Sequence, residues 1–142
     1  MRVLLDANLF ISYLLTPNRG SPIVTIVDTA LSAGFVLLLP EDLLEEFFQA
    51  IAKHRHLKDR ITEEGSRRLG RLLLEVAETI PKIAEDVPAV TRDPKDDYLL
   101  AYAFVGQADI LVTTDDDLLS LGQVEQVRIL RPQDFLEVLR QI

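Results

Sequence analysis

The sequence contains no cysteine, which excludes disulfide bonds, thiolate metal sites and a cysteine nucleophile. No apolar run approaches the roughly 20 residues that a membrane-spanning helix needs. The first residues also lack the basic, apolar and small-residue regions of a secretory signal, so we expect a cytoplasmic protein. With 142 residues, 48% of them hydrophobic, the chain suits one packed domain and is too short for two ordinary ones. We therefore expect a single domain over residues 1–142.

Basic charge is scarce, and the net charge of −8 argues on its face against a nucleic-acid partner. The charge is distributed unevenly along the chain. Residues 53–71 contain seven Lys or Arg and only three Asp or Glu. That segment carries +4 and the rest of the chain −12. The simplest interpretation of such a basic run is a solvated helical face.

Apolar runs of strand length alternate with helical patterns. Strands are predicted at 3–5, 35–39, 82–84, 109–114 and 127–130, and helices at 7–15, 22–33, 41–54, 62–80, 94–106 and 132–139. Ser21, Thr62 and Asp93 are the predicted N-caps, and Gly34 is the predicted C′ glycine of the second helix. We expect a loop at 16–20 and short helical turns near 56–60 and 118–121. The alternation predicts an α/β fold, a three-layer α/β/α sandwich around a central parallel sheet.

Carboxylates stand where strands end or neighbouring helices begin. Asp6 directly follows three buried apolar residues, at the end of the first strand where open α/β sheets bind ligands. The other candidates are Glu45, Glu46, Asp93, Asp96, Asp97, Asp115, Asp116 and Asp117. Taken singly, most have ordinary explanations: Asp93 is a cap, Asp96 is favoured by the helix dipole at N3, and one of residues 115–117 caps the next turn.

A cluster of these acids would need cations or protons to offset its repulsion. Oxygen ligands without cysteine or a nearby histidine favour Mg²⁺ or Mn²⁺ over Zn²⁺. The reaction best suited to such a site is metal-assisted hydrolysis of a phosphodiester.

Four sequence blocks resemble the PIN-domain nucleases, particularly the single-domain toxin components of toxin–antitoxin systems. They are LLDANLFISYLL, PEDLLEEFFQAI, RDPKDDYLLAYAF, and DILVTTDDDLLSL followed by ILRPQDFL. The resemblance covers nearly the whole chain. It implies a PIN-like α/β/α sandwich and a Mg²⁺- or Mn²⁺-dependent endoribonuclease, often a homodimer, with an RNA substrate and an antitoxin protein as partners.

The resemblance also implies the site residues. Asp6 matches the family's first acid; Glu46 matches the second, with Glu45 not excluded; and Asp97 matches the third, four residues before Ala101. Asp115 matches the aspartate after the threonine-bearing strand, although the extra charge of Asp116 leaves open which of the three faces the metal. Asp6, Glu46 and Asp97 would hold the principal ion, with Asp115 binding it directly or through water. The supporting residues implied are Asn8, Thr113 and Asp117, the last for a second ion or a water.

With RNA as the implied substrate, we hypothesise that the basic segment guides the RNA backbone. Its candidate residues are Lys53, Arg55, Arg67, Arg68 and Arg71.

Three other classes of function have some features in common with this sequence. A phosphoacceptor receiver needs an aspartate ending a middle strand and a later lysine, but the second strand ends in Leu39-Pro40. An aspartyl phosphatase needs Asp-x-Asp near the start, where position 8 is Asn. The remaining alternative is a PIN-fold module that binds a partner and has weak or no nuclease activity.

Overall fold

The strands of the computed structural model, which describes residues 1–16 and 20–142, form one sheet. They are β1 (Arg2–Leu5), β2 (Val36–Pro40), β3 (Glu78–Ile80), β4 (Ile110–Val112), β5 (Gln123–Val124) and β6 (Val127–Leu130). Their order in the sheet is β3-β2-β1-β4-β6-β5. All neighbours pair in parallel except β5 and β6.

Eight helices occur among the described residues. They are α1 (Ala7–Leu15), α2 (Pro22–Leu31), α3 (Glu41–Lys53), α4 (Arg55–Arg60), α5 (Glu63–Val76), α6 (Pro94–Val105), α7 (Asp116–Leu119) and α8 (Pro132–Arg140). With the mostly parallel sheet they form a three-layer α/β/α sandwich, which confirms the predicted fold class. None of the helices so described is long and apolar enough to cross a membrane.

The three central strands are buried on both faces, as expected for parallel strands covered by helices. Val3 to Leu5, Leu37 to Leu39 and Ile110 to Val112 are all buried, which explains their uninterrupted apolar sequences. Edge-to-face aromatic pairs join helices to one another and to the residue that precedes β2. Phe10 of α1 meets Phe47 of α3 with ring centroids 6.3 Å apart, and Phe35 meets Phe135 of α8 at 5.4 Å. Full burial of each such side chain contributes roughly 1.5–3 kcal/mol.

The strand order reverses between β1 and β4. From β1 the chain builds outward through β2 and β3, whereas β4 continues on the opposite side through β6. The Asp6 amide donates to the carbonyl of Val112 at 3.0 Å, so the ends of the two strands are joined directly. In open parallel sheets this reversal opens a crevice at the carboxyl edge, where ligands bind.

Two predicted boundaries around β3 were wrong. The helix predicted to reach residue 80 ends at Val76, where Ala77 turns to extended backbone, and the strand lies at 78–80 instead of 82–84. Ile80 is buried, and Glu78 pairs with the guanidinium of Arg2 on the strand next but one. Pairing with β2 therefore overrides the helical pattern of this segment.

The end of α2 also differs from the prediction. Ala33, not Gly34, takes the left-handed C′ position, with φ 57°. Gly34 is the next residue, and its amide donates to the Thr29 carbonyl at 2.9 Å. A Cβ on Gly34 would lie 2.5 Å from the Thr29 methyl, so close approach rather than backbone conformation requires glycine there. The two-residue strand β5 was not predicted, and residues 17–19 of the predicted loop lie outside the described residues.

Candidate active site

Asp6 stands at the carboxyl end of β1 and is the N-cap residue of α1. Its carboxylate accepts a hydrogen bond from the Thr113 hydroxyl at 2.8 Å. Thr113 is fully buried at the end of β4, and its oxygen also accepts from the Asp115 amide at 3.1 Å. Burial raises the pKa of Asp6, the Thr113 bond opposes that rise, and the charge of Asp115 adds to it. Thr113 thus fixes Asp6 and the start of the next segment together.

Asp96 approaches the same point from α6. Asp93 caps this helix by accepting from the Lys95 amide at 2.9 Å, as predicted, and Asp96 is its third residue. The Asp96 side chain is only 7% exposed, and its Oδ2 has no hydrogen-bond partner among the described residues. Burial, then a side-chain hydrogen bond with Asp115 and the charge of that residue, raise the pKa of Asp96 to about 7, with smaller contributions from Asp93 and Asp6.

Asp115 and Asp117 complete a group of oxygens around Asp96. One carboxylate oxygen of each of the three lies within 4.8 Å of the other two. Asp115 caps α7 by accepting from the Asp117 amide at 2.9 Å, and Asp117 pairs with exposed Arg92 at 2.7 Å. Asp116 is exposed and is not part of this group.

Glu46, rather than Glu45, faces the acids. Burial and then the charge of Asp6 raise the pKa of Glu46, and nearby Lys95 opposes the rise. Glu45 instead pairs with Lys82, with Oε1 2.9 Å from Nζ. Of the two glutamates that the sequence left open, Glu46 is therefore the one that lies beside Asp6.

Asp97, the acid expected from the resemblance, is not brought into this cluster. Its Oδ1 accepts from the backbone amides of Val90 and Thr91, at 2.9 and 2.8 Å, and from the Thr91 hydroxyl. These amides lower the pKa of Asp97. Its carboxylate anchors the segment before α6, and Asp96 stands where Asp97 was expected.

The helical phase of α6 gives only a weak signal to distinguish the two. Asp96 shares its face with Leu99, Leu100 and Ala103, at the i+3, i+4 and i+7 positions, and all three are buried. The residues at the same offsets from Asp97 are Leu100, which is also buried, and Ala101 and Phe104, which are half-buried. Asp97 is as buried as Asp96, so the two acids differ mainly in what their carboxylates contact.

Two adjoining clefts meet at the acids. Both are lined by Asp6, Glu46, Gln49, Lys95 and Asp96. The first, of about 420 Å³, continues over an apolar surface and is completed by Asp42, Leu43, Glu45, Pro94, Tyr98, Leu99 and Tyr102. The second, of about 340 Å³, is polar and is completed by Asn8, Ala50, Lys53, His54, Asp93 and Asp115. Neither Gln49 nor Lys95 was predicted from the sequence to belong to the site.

The predicted supporting and basic residues are divided between the clefts and the surface. Asn8 and Lys53 line the polar cleft. Arg55 lies on α4, and the three arginines of α5 are exposed and line neither cleft. Arg67 pairs with Glu63 one turn earlier on the same helix. Only one member of the predicted RNA-binding set is therefore adjacent to the acids.

A family model described as "PIN domain" matches residues 2–117, and no curated protein matches the chain. The match covers more than half of the sequence, so this chain belongs to the PIN domain family. PIN domains form a nuclease superfamily, and PIN nucleases use divalent metal ions. This confirms the resemblance at the level of the family.

The acids fit a divalent ion. The donors are all carboxylate oxygens, the type preferred by hard cations, and one of them is buried without a partner. Burial raises the pKa values of Asp6, Glu46 and Asp96, and neighbouring acids add to the rise, so additional positive charge would favour their ionised forms. A dication would supply that charge, whereas a purely structural cluster would be expected to satisfy its own oxygens.

Proposed function

We propose that this protein is a metal-dependent endoribonuclease that hydrolyses RNA phosphodiester bonds at Asp6, Glu46, Asp96 and Asp115. The observation that carries the proposal is the buried, unpartnered Oδ2 of Asp96, in a carboxylate cluster where the strand order of a PIN domain reverses. Asp96 takes the role that the sequence had given to Asp97, because the Asp97 carboxylate is held by backbone amides elsewhere.

Mg²⁺ or Mn²⁺ would be held by Asp6, Glu46, Asp96 and Asp115. Asp117 is a further candidate, although Arg92 already engages its carboxylate. When bound, such an ion activates water and stabilises the negative charge that develops during hydrolysis. Because carboxylates must lose their protons to bind a metal, the raised pKa of Asp96 links metal affinity to pH near neutrality.

The chain's other residues position and attract the substrate. Thr113 holds the Asp6 carboxylate through its hydroxyl. Lys53 and Lys95 line the polar cleft and would contact phosphates on either side of the bond that is cut. Asn8, in the same cleft, would orient water or a phosphate oxygen.

The wider role is proposed from the resemblance. We infer a cytoplasmic toxin of a toxin–antitoxin pair that acts as a homodimer and is inhibited by an antitoxin protein. A single PIN-like domain over residues 1–142 is supported by β6 and α8, which lie beyond the matched residues yet belong to the same sheet and core.

The test is cleavage of a mixed RNA panel with Mg²⁺ or Mn²⁺. Asp6→Asn and Asp96→Asn should each reduce the rate on the order of 10²-fold or more, because each removes charge from the reacting centre. Asp97→Asn is the matched control, one residue along the same helix, and should retain activity. Equal rates in all four proteins would refute the assignment. A wild type that cleaves no RNA would favour the partner-binding alternative.

The basic segment has its own test. Reversing Arg67, Arg68 and Arg71 to glutamate should weaken RNA binding steeply at low salt, because phosphate contacts dominate such affinity and are screened by salt. Lys53→Glu, beside the acids, should also reduce cleavage. Unchanged affinity in the triple variant would mean that the α5 arginines form only a solvated face.

A further inference from the structure

The apolar cleft beside the acids has a composition unlike that of the polar one. Its walls include the buried side chains of Leu43 and Leu99 and the half-buried ring of Tyr98. At about 420 Å³ it falls within the size range of small-molecule sites. Asp96, whose buried Oδ2 has no partner among the described residues, lines this cleft and the polar one.

The charge at the far side of this cleft excludes a phosphate. Asp42 accepts from the Tyr102 hydroxyl and lies 3.9 Å from Lys82, and Glu45 pairs with the same lysine at 2.9 Å. Two carboxylates share one ammonium, so the cleft carries excess negative charge. A phosphate there would be repelled, whereas a flat neutral ring has no net charge and would be little affected by the negative charge.

The polar cleft suits the sugar and phosphate of a nucleotide. Lys53 and His54 line only that side, and Lys95 stands at the boundary. A single strand crossing the acids would therefore leave its sugar and phosphate on the polar side. Its base would be directed toward the tyrosine side.

We propose that the apolar cleft takes one unpaired nucleobase of the RNA, stacked on Tyr98, next to the bond that is cut. The inference rests on the proposed nuclease function and deepens it, because it assigns a place in the cleft to one base of the substrate. The side-chain amide of Gln49, at the boundary, makes no hydrogen bond within residues 1–16 and 20–142, so it is free to donate to and accept from the edge of the base.

The experiment measures binding separately from cleavage. A fluorescein-labelled ten-nucleotide RNA is titrated by anisotropy with Ca²⁺ in place of Mg²⁺, and a gel checks that the strand stays intact. Abasic substitutions are then scanned along it. One position should lose affinity by roughly 5- to 150-fold, the range found for one base stacked on an aromatic side chain. In Tyr98→Ala the intact RNA should bind more weakly by a similar factor, and the abasic substitution should have no further effect.

Tyr98→Phe is the matched control, because it keeps the ring and removes only a hydroxyl whose bond to the Glu85 carbonyl is long, at 3.4 Å. It should bind within about twofold of wild type. Should Tyr98→Ala fail to fold, 2-aminopurine at the sensitive position of the RNA gives an independent readout, since stacking on Tyr98 in the wild type should quench it.

The proposal is overturned if no abasic position lowers the affinity. It is also overturned if an abasic position lowers the affinity of Tyr98→Ala as much as that of wild type. Competition for the cleft by arginine amide but not by a nucleoside overturns it too, and would assign the cleft to a cationic side chain of a protein partner. Cleavage without any sensitive abasic position refutes the base site alone. Base-dependent binding without any cleavage in Mg²⁺ or Mn²⁺ refutes the nuclease alone.

Discussion

Replacing Asp96 by asparagine should stabilise the metal-free protein at pH 8, although it removes a residue from the proposed centre. In the wild type, burial and Asp115 raise the pKa of Asp96 from 3.8 to about 7. The folded chain therefore binds this proton more tightly than the unfolded chain. The stability of the metal-free protein falls as pH rises from about 4 to 7, and the whole penalty is present above 7.

The size of this stabilisation follows from the difference between the ordinary pKa of Asp96 and its pKa in the folded chain. About three pKa units, at 1.36 kcal/mol each, set an upper limit of roughly 4 kcal/mol. Asparagine removes the buried charge, and its amide group can donate to the neighbouring carboxylates. Because the surrounding structure relaxes around the charge, we expect the free energy of unfolding to rise by less than this limit, about 1–3 kcal/mol at pH 8. At pH 5, where Asp96 is already protonated, it should rise little.

The assay is urea unfolding in EDTA at pH 5 and pH 8, repeated at pH 8 with Mn²⁺. Wild type should gain stability with Mn²⁺ because the ion binds the folded state, and Asp96→Asn should not. Asp97→Asn is the control with the opposite sign. Backbone amides lower the pKa of Asp97, so its ionised form contributes stability above the unfolded pKa, and asparagine should destabilise at pH 8.

A destabilised Asp96→Asn at pH 8 in EDTA would refute the account of an uncompensated charge at this position. Mn²⁺ that stabilises Asp96→Asn as much as wild type would refute its role in metal binding. Because the two aspartates are adjacent on one helix, opposite signs for the pair could not arise from a general loss of helix stability.

Three further predictions concern stability. Ala33→Gly should stabilise by roughly 0.5–1 kcal/mol in urea unfolding, because the residue adopts φ 57°; a loss would show that its methyl group packs usefully. Gly106→Ala should lower the melting temperature, since its Cβ would lie under 3.0 Å from two neighbouring methyl groups. Thr113→Val should destabilise by about 1–3 kcal/mol, because Asp6 loses its hydroxyl donor in a buried setting, and an unchanged denaturation midpoint would contradict this.

The parts of the fold that were predictable are those with uninterrupted apolar runs or with capping residues. The buried triplets of β1, β2 and β4 and the capped starts of α5 and α6 gave strong local signals. The three residues of β3 and the two of β5 did not, because most of them are exposed and neither strand forms an apolar run, so each is fixed by pairing with its neighbour. Ala33 was missed for a similar reason, since glycine is the usual residue at C′ and Gly34 was the nearest.

The structure brings most of the predicted acids together and places one of them elsewhere. Asp6, Glu46 and Asp115 lie together as expected from their positions at strand ends and on the following helix. Asp97 was preferred to Asp96 because spacing within a sequence block cannot show which of two adjacent, equally buried carboxylates reaches the cluster. That choice depends on the rotation of α6 against the sheet, and the amides that hold Asp97 come from a segment with no regular structure.

The strand β6 has a practical consequence for shortening this protein. It lies beyond residue 117, where the family match ends, and it pairs along the open side of β4, with the Thr113 amide donating to the Leu130 carbonyl at 3.0 Å. A chain cut at residue 117 would leave β4 as a bare, apolar sheet edge, the kind of surface that pairs with other chains. It would also remove Phe135 from Phe35. Such a fragment should aggregate during expression, so recombinant boundaries should be drawn after α8.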